Sequence, residues 1–313
     1  MRIIKPKLLQ RGDVIGICAP ASPPASDEKL NKGIRYIEQL GFRVKLGKHV
    51  HARKGYLAGS DTQRAADINL LFADPKVKAI FVVRGGYGSH RILPLLNYNL
   101  IKCNPKILVG YSDITALHLA LLAKSKMVSF SGPMVAVEMS DGLNGKVEER
   151  FWEMLMSTHP PKIIKGSSNP IVVARGKRIS TGNLLGGNLS IMTALIGTQF
   201  FPSLNDPIFI LEEIDERPYR IDRMLQQIKL SDHFKNIKGI ALGNFRGCDP
   251  DEKKPSLTLN QVFNDVFQNY NFPVISGIPF GHFSLSASIP IGVKVKINGR
   301  KNCMEFLESG ISK

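Results

Sequence analysis

Through the first half of the chain, short apolar runs alternate with stretches in which apolar residues recur every three to four positions. Residues 13–20, DVIGICAP, read as a buried strand running into a Pro/Ser loop. Residues 27–40, DEKLNKGIRYIEQL, place Leu30, Ile34, Ile37 and Leu40 on one helical face, and Gly41 stops the helix. FRVKLG is a second strand, and Ser60 or Asp61 caps a helix over TQRAADINLLFA. AIFVV at 79–83 is a third strand, interrupted by RGGYG, with a helix from Ser89. ILVGY is a fourth, followed by a helix over 113–123. Repeated strand–helix–strand units of this kind predict a parallel sheet covered by helices on both faces. Ligands of such sheets bind where the strands end, and both RGGYG and Tyr111-Ser112-Asp113 lie at such ends.

Beyond about residue 145 the texture changes. Residues 157–180 are rich in Pro, Ser and Gly and read as a connection. Then NLLGGNLSIMTALIG reads as a glycine turn opening a helix, PIFILEEI as a strand and PYRIDRMLQQIKL as a helix with Pro218 in its first turn. GIALGNF and PVISGIPFGH supply further strands, and VKVKINGRKNCMEFL reads as a hairpin turning at Asn298-Gly299. The chain thus divides into an N-terminal α/β domain (1–150), a linker (151–174) and a mixed α/β domain (175–313).

Composition narrows the class. The 313 residues are 43% hydrophobic and 22% charged, which fits a folded globule. No apolar run is long enough to span a membrane, and the N-terminus lacks a signal peptide's apolar stretch, so the expected location is cytoplasmic. Cys18, Cys103, Cys248 and Cys303 are scattered, no pair has C-x-x-C spacing, and the seven histidines show no metal-ligand spacing. Four reduced, mostly buried thiols and no metal or cofactor are expected. The net charge of +16 is spread along the chain; its densest cluster, DPDEKKPS, also carries acids, and no basic run alternates with aromatics. That argues against a nucleic-acid groove and is compatible with an anionic substrate.

The candidate chemistry is a serine on a strand-to-helix corner. Such a hydroxyl projects above the sheet, with the N–H groups of the new helix facing whatever it attacks. GYSDI is not G-x-S-x-G, since Ile114 stands at the last glycine, so the motif alone is weak and a helix cap supplied by Ser112 or Asp113 is the plain alternative. In RGGYGSHR, Gly85, Gly86 and Gly88 bare backbone N–H groups beside the neighbouring strand. One of them pairs naturally with the Asp113 N–H as an oxyanion hole; a phosphate cradle and a plain tight turn are the rivals. A nucleophilic serine needs a base. His282 follows an apolar strand and a Pro-Phe-Gly loop, and His90, beside the glycine loop, competes with it; His118, inside an apolar helix, suits packing or exposure better. For the acid, IFILEEIDE drives Glu212 and Glu213 into apolar surroundings, where a carboxylate requires a partner; ion pairs with Arg220 or Arg223 are the alternative use.

Taken together, GDVIGICAPASP, YLAGSDTQRAADIN, FVVRGGYGSHRILPLLNY, LVGYSDITALHLALL, GPM, GNLLGGNLSIMTALIGT, ILEEIDERPYRIDRMLQQI and GIPFGH resemble, in order and spacing, the LD-carboxypeptidase family of serine peptidases. The resemblance covers nearly the whole chain. It implies a class I amidotransferase-like (flavodoxin-like) N-terminal domain joined to a smaller swivelling C-terminal β/α domain, often as a homodimer. It implies a Ser112–His282–Glu212 triad, with Gly86 and Asp113 N–H groups as oxyanion donors. The family reads Leu-Glu-Asp where this chain reads Leu-Glu-Glu, which leaves Glu213 as the competing acid; strand alternation lets only one of the two reach His282. The implied substrate is a murein tetrapeptide losing its terminal D-alanine during peptidoglycan recycling, with Arg84 as a candidate carboxylate contact. The alternatives are a microcin-immunity-type peptidase acting on a peptidyl-nucleotide amide, for which aromatic residues over a nucleobase are expected, and a non-catalytic small-molecule binding module.

Overall fold

A computed structural model describes residues 3–167, 179–251 and 254–313. The first elements follow the apolar pattern closely: β1 (Val14–Cys18), α1 (Asp27–Gln39), β2 (Arg43–Leu46), α2 (Asp61–Ala73), β3 (Val77–Val82), α3 (Ser89–Ile92), α4 (Tyr98–Cys103), β4 (Ile107–Val109), α5 (Thr115–Ala120) and β5 (Ser129–Ser131). α1 is capped by Ser26. α2 is capped by Ser60, whose side chain accepts from the Gln63 N–H while the Gln63 side chain accepts from the Ser60 N–H. Then come α6 (Glu138–Asp141), α7 (Gly145–Met156) and β6 (Ile164–Lys165). After residue 178 follow β7 (Ile179–Asn188), α8 (Leu189–Leu195), β8 (Pro207–Ile214), α9 (Pro218–Leu230), β9 (Gly239–Arg246), α10 (Leu259–Phe267), β10 (Val274–Ile275), β11 (Ile289–Ile291), β12 (Lys294–Asn298) and β13 (Cys303–Phe306).

The strands form two sheets. The first has the order β2-β1-β3-β4-β5-β11, parallel except for the antiparallel edge strand β11. The run 2-1-3-4-5 is the flavodoxin-like order, whose direction reverses between β1 and β3 and opens a crevice over their C-terminal ends. The second sheet has the order β10-β9-β8-β7-β12-β13-β6, with β7 to β10 parallel and β12, β13 and β6 antiparallel. Inner strands such as β4 and β8 are apolar on both faces because both faces are covered. One continuous set of buried apolar side chains runs through both sheets.

Three elements depart from the sequence reading. Gly186 and Gly187 do not form a turn: β7 runs through them, at φ of 138° and 141°, to Asn188. A side chain on Gly186 would strike the Ile210 carbonyl of β8, so glycine here serves close strand approach. The hairpin of β12 and β13 is as expected, but Asn298 is its last paired residue, opposite Cys303, and the loop spans Gly299–Asn302. β11, although inside 175–313, belongs to the first sheet, so sheet membership crosses the expected boundary there. The termini also meet, through a Lys7–Ser312 bridge and a Lys5–Glu308 ion pair of 2.7 Å, and an Ile4–Met127 bridge ties the N-terminus to the segment before β5.

The middle of the Pro/Ser/Gly connection, including the 174/175 boundary, and Glu252 and Lys253 of DPDEKKPS lie outside the described residues. The four cysteines are free; Cys18 and Cys248 are buried, whereas Cys103 is exposed. Among the described residues no helix is long and apolar enough to cross a membrane.

Candidate active site

β4 ends at Gly110, Tyr111 is extended, and Ser112 turns the chain with φ of 64° before the helical residues of α5 begin. A non-glycine residue in the left-handed region carries about 1–2 kcal/mol of strain, which the surroundings hold in place. His118 of α5 reaches back with Nε2 2.8 Å from the Gly110 carbonyl and Nδ1 2.8 Å from Ser129 Oγ. Its ring is buried, burial lowers its pKa to about 4, and so it is a neutral tie across the turn rather than a base. Gly85 lies directly against the serine: a Cβ there would sit 3.0 Å from Ser112 Cβ and 3.3 Å from Oγ.

The glycine loop is tied to this turn from two sides. Asp113 is buried and its Oδ2 accepts the Ser89 N–H at 2.8 Å, fixing the end of the loop. Ser22, in the loop after β1, donates its N–H to the Gly85 carbonyl at 3.3 Å and accepts the Tyr87 N–H at 3.2 Å. Gly86 has φ of 109°, and its missing side chain leaves room for Ser22 Oγ. Neither Ser22 nor Tyr87 was singled out from the sequence; the signal was only their place at the switch point between β1 and β3.

The second sheet supplies the rest. His282 stands in the loop after β10, with Nε2 3.0 Å from Ser112 Oγ and Nδ1 2.7 Å from Glu212 Oε2 at the end of β8. A carboxylate only accepts, so Nδ1–H donates to Glu212 and Nε2 is left to accept the serine proton. Gly281, at φ of 127°, lets Glu212 lie beneath the ring, since a Cβ there would sit 3.0 Å from Glu212 Oε2. Tyr111 meets the imidazole edge-on, centroids 5.1 Å apart, and its hydroxyl donates to Glu138 Oε1 at 2.6 Å. Burial by itself would lower the His282 pKa. The hydrogen bond and charge of Glu212, with the charges of Glu213 and Glu138, outweigh it and raise the value above the ordinary 6.5.

The Glu212/Glu213 doublet resolves by alternation. Glu213 faces the other way, accepting from Asn188 Nδ2 (2.7 Å), Ser190 N–H (2.7 Å), Ser190 Oγ (2.6 Å) and its neighbour Ile214 N–H (2.9 Å). Neither glutamate pairs with Arg220 or Arg223 among the described residues; Arg220 instead bonds Glu216 at 3.2 Å. His90, the competing base, makes no bond to Ser112, and its Nε2 is buried without a partner. Arg84 is half-buried and makes no hydrogen bond or ion pair among the described residues. A cleft of about 570 Å³ opens in front of His282, walled by Tyr111, Glu138, Ile214, Arg246, Phe283 and Leu285 among others.

Two sheets thus contribute one hydroxyl, one imidazole and one carboxylate in series. Residues 15–132 match the model of the LD-carboxypeptidase N-terminal domain, and residues 181–297 match that of the LD-carboxypeptidase C-terminal domain. The chain belongs to the LD-carboxypeptidase family. Among its relatives is a probable murein peptide carboxypeptidase of Bacillus subtilis, 38% identical over 98% of this chain and 95% of that protein. The microcin C7 self-immunity protein MccF of Escherichia coli is 27% identical over 96% of this chain and 95% of its own length. The crystal structure of muramoyltetrapeptide carboxypeptidase from Oxalobacter formigenes superposes with a TM-score of 0.83 and 29% identity, over 93% of this chain and 97% of that one. As an LD-carboxypeptidase-family chain of mixed α/β architecture, it carries the resemblance read from its motifs over nearly its full length.

Proposed function

We propose that this LD-carboxypeptidase-family protein hydrolyses the amide between an L-configured centre and a terminal D-alanine, trimming murein tetrapeptides to tripeptides in peptidoglycan recycling. The observation that carries the reading is the unbroken chain of hydrogen bonds Ser112 Oγ–His282–Glu212 across two sheets, at 3.0 and 2.7 Å. In this mechanism His282 Nε2 takes the Ser112 proton as Oγ attacks the amide carbonyl. Glu212 holds the tautomer and stabilises the imidazolium. The N–H groups of Gly86 and Asp113 bind the oxyanion; each such donor is worth about 10²–10³ in rate. His282 then protonates the leaving amine, and water, activated by the same ring, releases the acyl group.

The Bacillus subtilis and Oxalobacter formigenes relatives, a probable murein peptide carboxypeptidase and a muramoyltetrapeptide carboxypeptidase, support the murein peptide as substrate. The microcin-type alternative calls for aromatic surface over a nucleobase. The one tryptophan, Trp152, is instead packed in the first domain, its ring 5.0 Å from Phe42 and its Nε1 donating to the Tyr36 hydroxyl. Homodimerisation and a cytoplasmic location belong to the same proposal, to be checked by light scattering and fractionation.

The test is incubation with L-Ala-D-Glu-meso-diaminopimelate-D-Ala and assay of free D-alanine. The expected result is release by the parent protein and a loss on the order of 10⁶-fold for Ser112→Ala. No release from this peptide or its lysine analogue rejects the reading. Binding that Ser112→Ala leaves unchanged, with no turnover by the parent protein, marks a binding module instead.

A further inference from the structure

A carboxypeptidase differs from an endopeptidase by requiring a free carboxylate on the residue it removes. The Ser112–His282–Glu212 relay contains nothing that reads that group. The leaving amine takes its proton from His282, so the carboxylate of the departing residue, one carbon from that amine, lies on the His282 side of the cleft.

One cation stands there. Arg246, the last residue of β9, lines the cleft in front of His282 and donates from Nη1 to the His282 carbonyl at 3.3 Å. Its side chain is exposed and forms no ion pair among the described residues, and it is the only Lys or Arg among the residues lining the cleft. The carboxylates nearby are already engaged. Glu138 accepts from the Tyr111 hydroxyl at 2.6 Å and the Met134 N–H at 2.9 Å; Asp141 pairs with Lys29 at 3.3 Å and accepts from Ser140 Oγ at 3.2 Å. The guanidinium is therefore tethered by one long bond to the backbone of the base, with its remaining donors open to the cleft. A planar fork of N–H donors matches a carboxylate bidentately.

We infer that Arg246 is the specificity-determining residue that binds the free C-terminal carboxylate of the substrate and so restricts cleavage to the last residue. The inference rests on the proposed peptidase function. Arg84, half-buried behind the glycine loop, is not among the residues that line this cleft. The tether adds a second consequence: a carboxylate drawn to Arg246 aligns the scissile amide against the ring whose carbonyl the same guanidinium holds.

The experiment compares two substrates, the tetrapeptide L-Ala-D-Glu-meso-diaminopimelate-D-Ala and the same peptide ending in D-alaninamide, with the parent protein, Arg246→Gln and Arg246→Lys. The parent is expected to prefer the free acid by roughly 10- to 100-fold in kcat/KM, the worth of one charge-assisted pair. Arg246→Gln should bring that ratio close to 1, mainly through a raised KM for the acid, with a smaller loss on the amide. Arg246→Lys should recover part of the preference. A parent protein indifferent to amidation overturns the assignment. So does Arg246→Gln that keeps the full preference, or that loses both substrates equally, since that is the mark of a structural role. Absence of release from either peptide by the parent protein rejects the murein-peptide reading, and this assignment with it.

Discussion

At the scale of single residues, the site combines a strained serine with an imidazole made more basic by its neighbours. Because an imidazole serves as a base only when neutral, the raised pKa of His282 places the expected loss of activity at higher pH than an ordinary histidine would. The acid limb of kcat/KM should therefore have its midpoint above 6.5, activity falling as pH drops through it. Glu212→Gln removes the main charge that raises the ring and leaves burial, which lowers it. The midpoint should then move to lower pH, with a fall of the order of 10³–10⁴ in kcat from the lost orientation and cation stabilisation. A pH–rate profile that Glu212→Gln leaves in place would remove Glu212 from the relay. The strain at Ser112 makes a separate prediction. Ser112→Ala keeps a side chain at φ of 64°, whereas Ser112→Gly relieves it. Both variants should be inactive, and the glycine variant should be more stable than the alanine variant by about 1 kcal/mol. Denaturant titration of the pair checks this, and equal midpoints would mean that the turn holds no strain.

At the scale of elements, one acidic doublet at the end of β8 serves two sides of the sheet. Glu212 bonds His282; Glu213 ties the end of β7 and the start of α8 through Asn188 and Ser190. Burial raises the Glu213 pKa despite those four donors, so the carboxylate sits where an unpartnered charge would not survive. Glu213→Ala strands the Asn188 amide and the Ser190 N–H and hydroxyl, and should destabilise the protein by about 3 kcal/mol. Its kcat at a temperature where it remains folded should fall far less than that of Glu212→Gln. The opposite ranking in thermal unfolding and turnover assays would exchange the roles of the two residues. Two other strands, β4 and β7, show where the sequence was readable and where it was not. The apolar run Ile107–Val109 ending in glycine announced the strand–turn–helix corner at Ser112, because burial on both faces of a parallel strand leaves a plain pattern. Gly186-Gly187 carries the opposite message locally, since paired glycines usually mark turns. Their use in β7 is set by the Ile210 carbonyl of a strand more than 20 residues away, which no local pattern records. The apolar pattern nominated His282 and the Glu212/Glu213 doublet alongside rivals, and the ordered motifs of a family chose among them. Arg246 was missed because its significance comes from the loop of residue 282 folding over it.

At the scale of the whole molecule, the relay exists only while two sheets hold a fixed spacing, and the contact that sets it can be named. Behind Ser112, Thr115 Oγ1 accepts the Asn188 N–H at 3.1 Å, joining the first turn of α5 to the end of β7, the strand beside Glu212. Gly187 makes that approach possible: a Cβ there would lie 2.4 Å from Thr115 Oγ1 and 2.9 Å from its Cγ2, at a φ of 141°. Thr115 is buried, so its side chain has no solvent-filled space to retreat into. Gly187→Ala should therefore push α5 and β7 apart, lengthening the 3.0 Å contact between His282 Nε2 and Ser112 Oγ although neither residue is altered. A displacement of about 1 Å at a proton-transfer contact costs on the order of 10² in rate, so kcat should fall by about that factor. Thr115→Ala in the same chain removes both clashing atoms and should restore part of the rate, despite losing the bond to Asn188. By itself, Thr115→Ala should cost less than Gly187→Ala. The double-mutant cycle on kcat is decisive, because coupling of the two sites identifies the spacing itself as the cause. Additive losses would instead mean that the alanine acts only by straining β7, and that the sheets are kept in register elsewhere, through β11 and the paired termini.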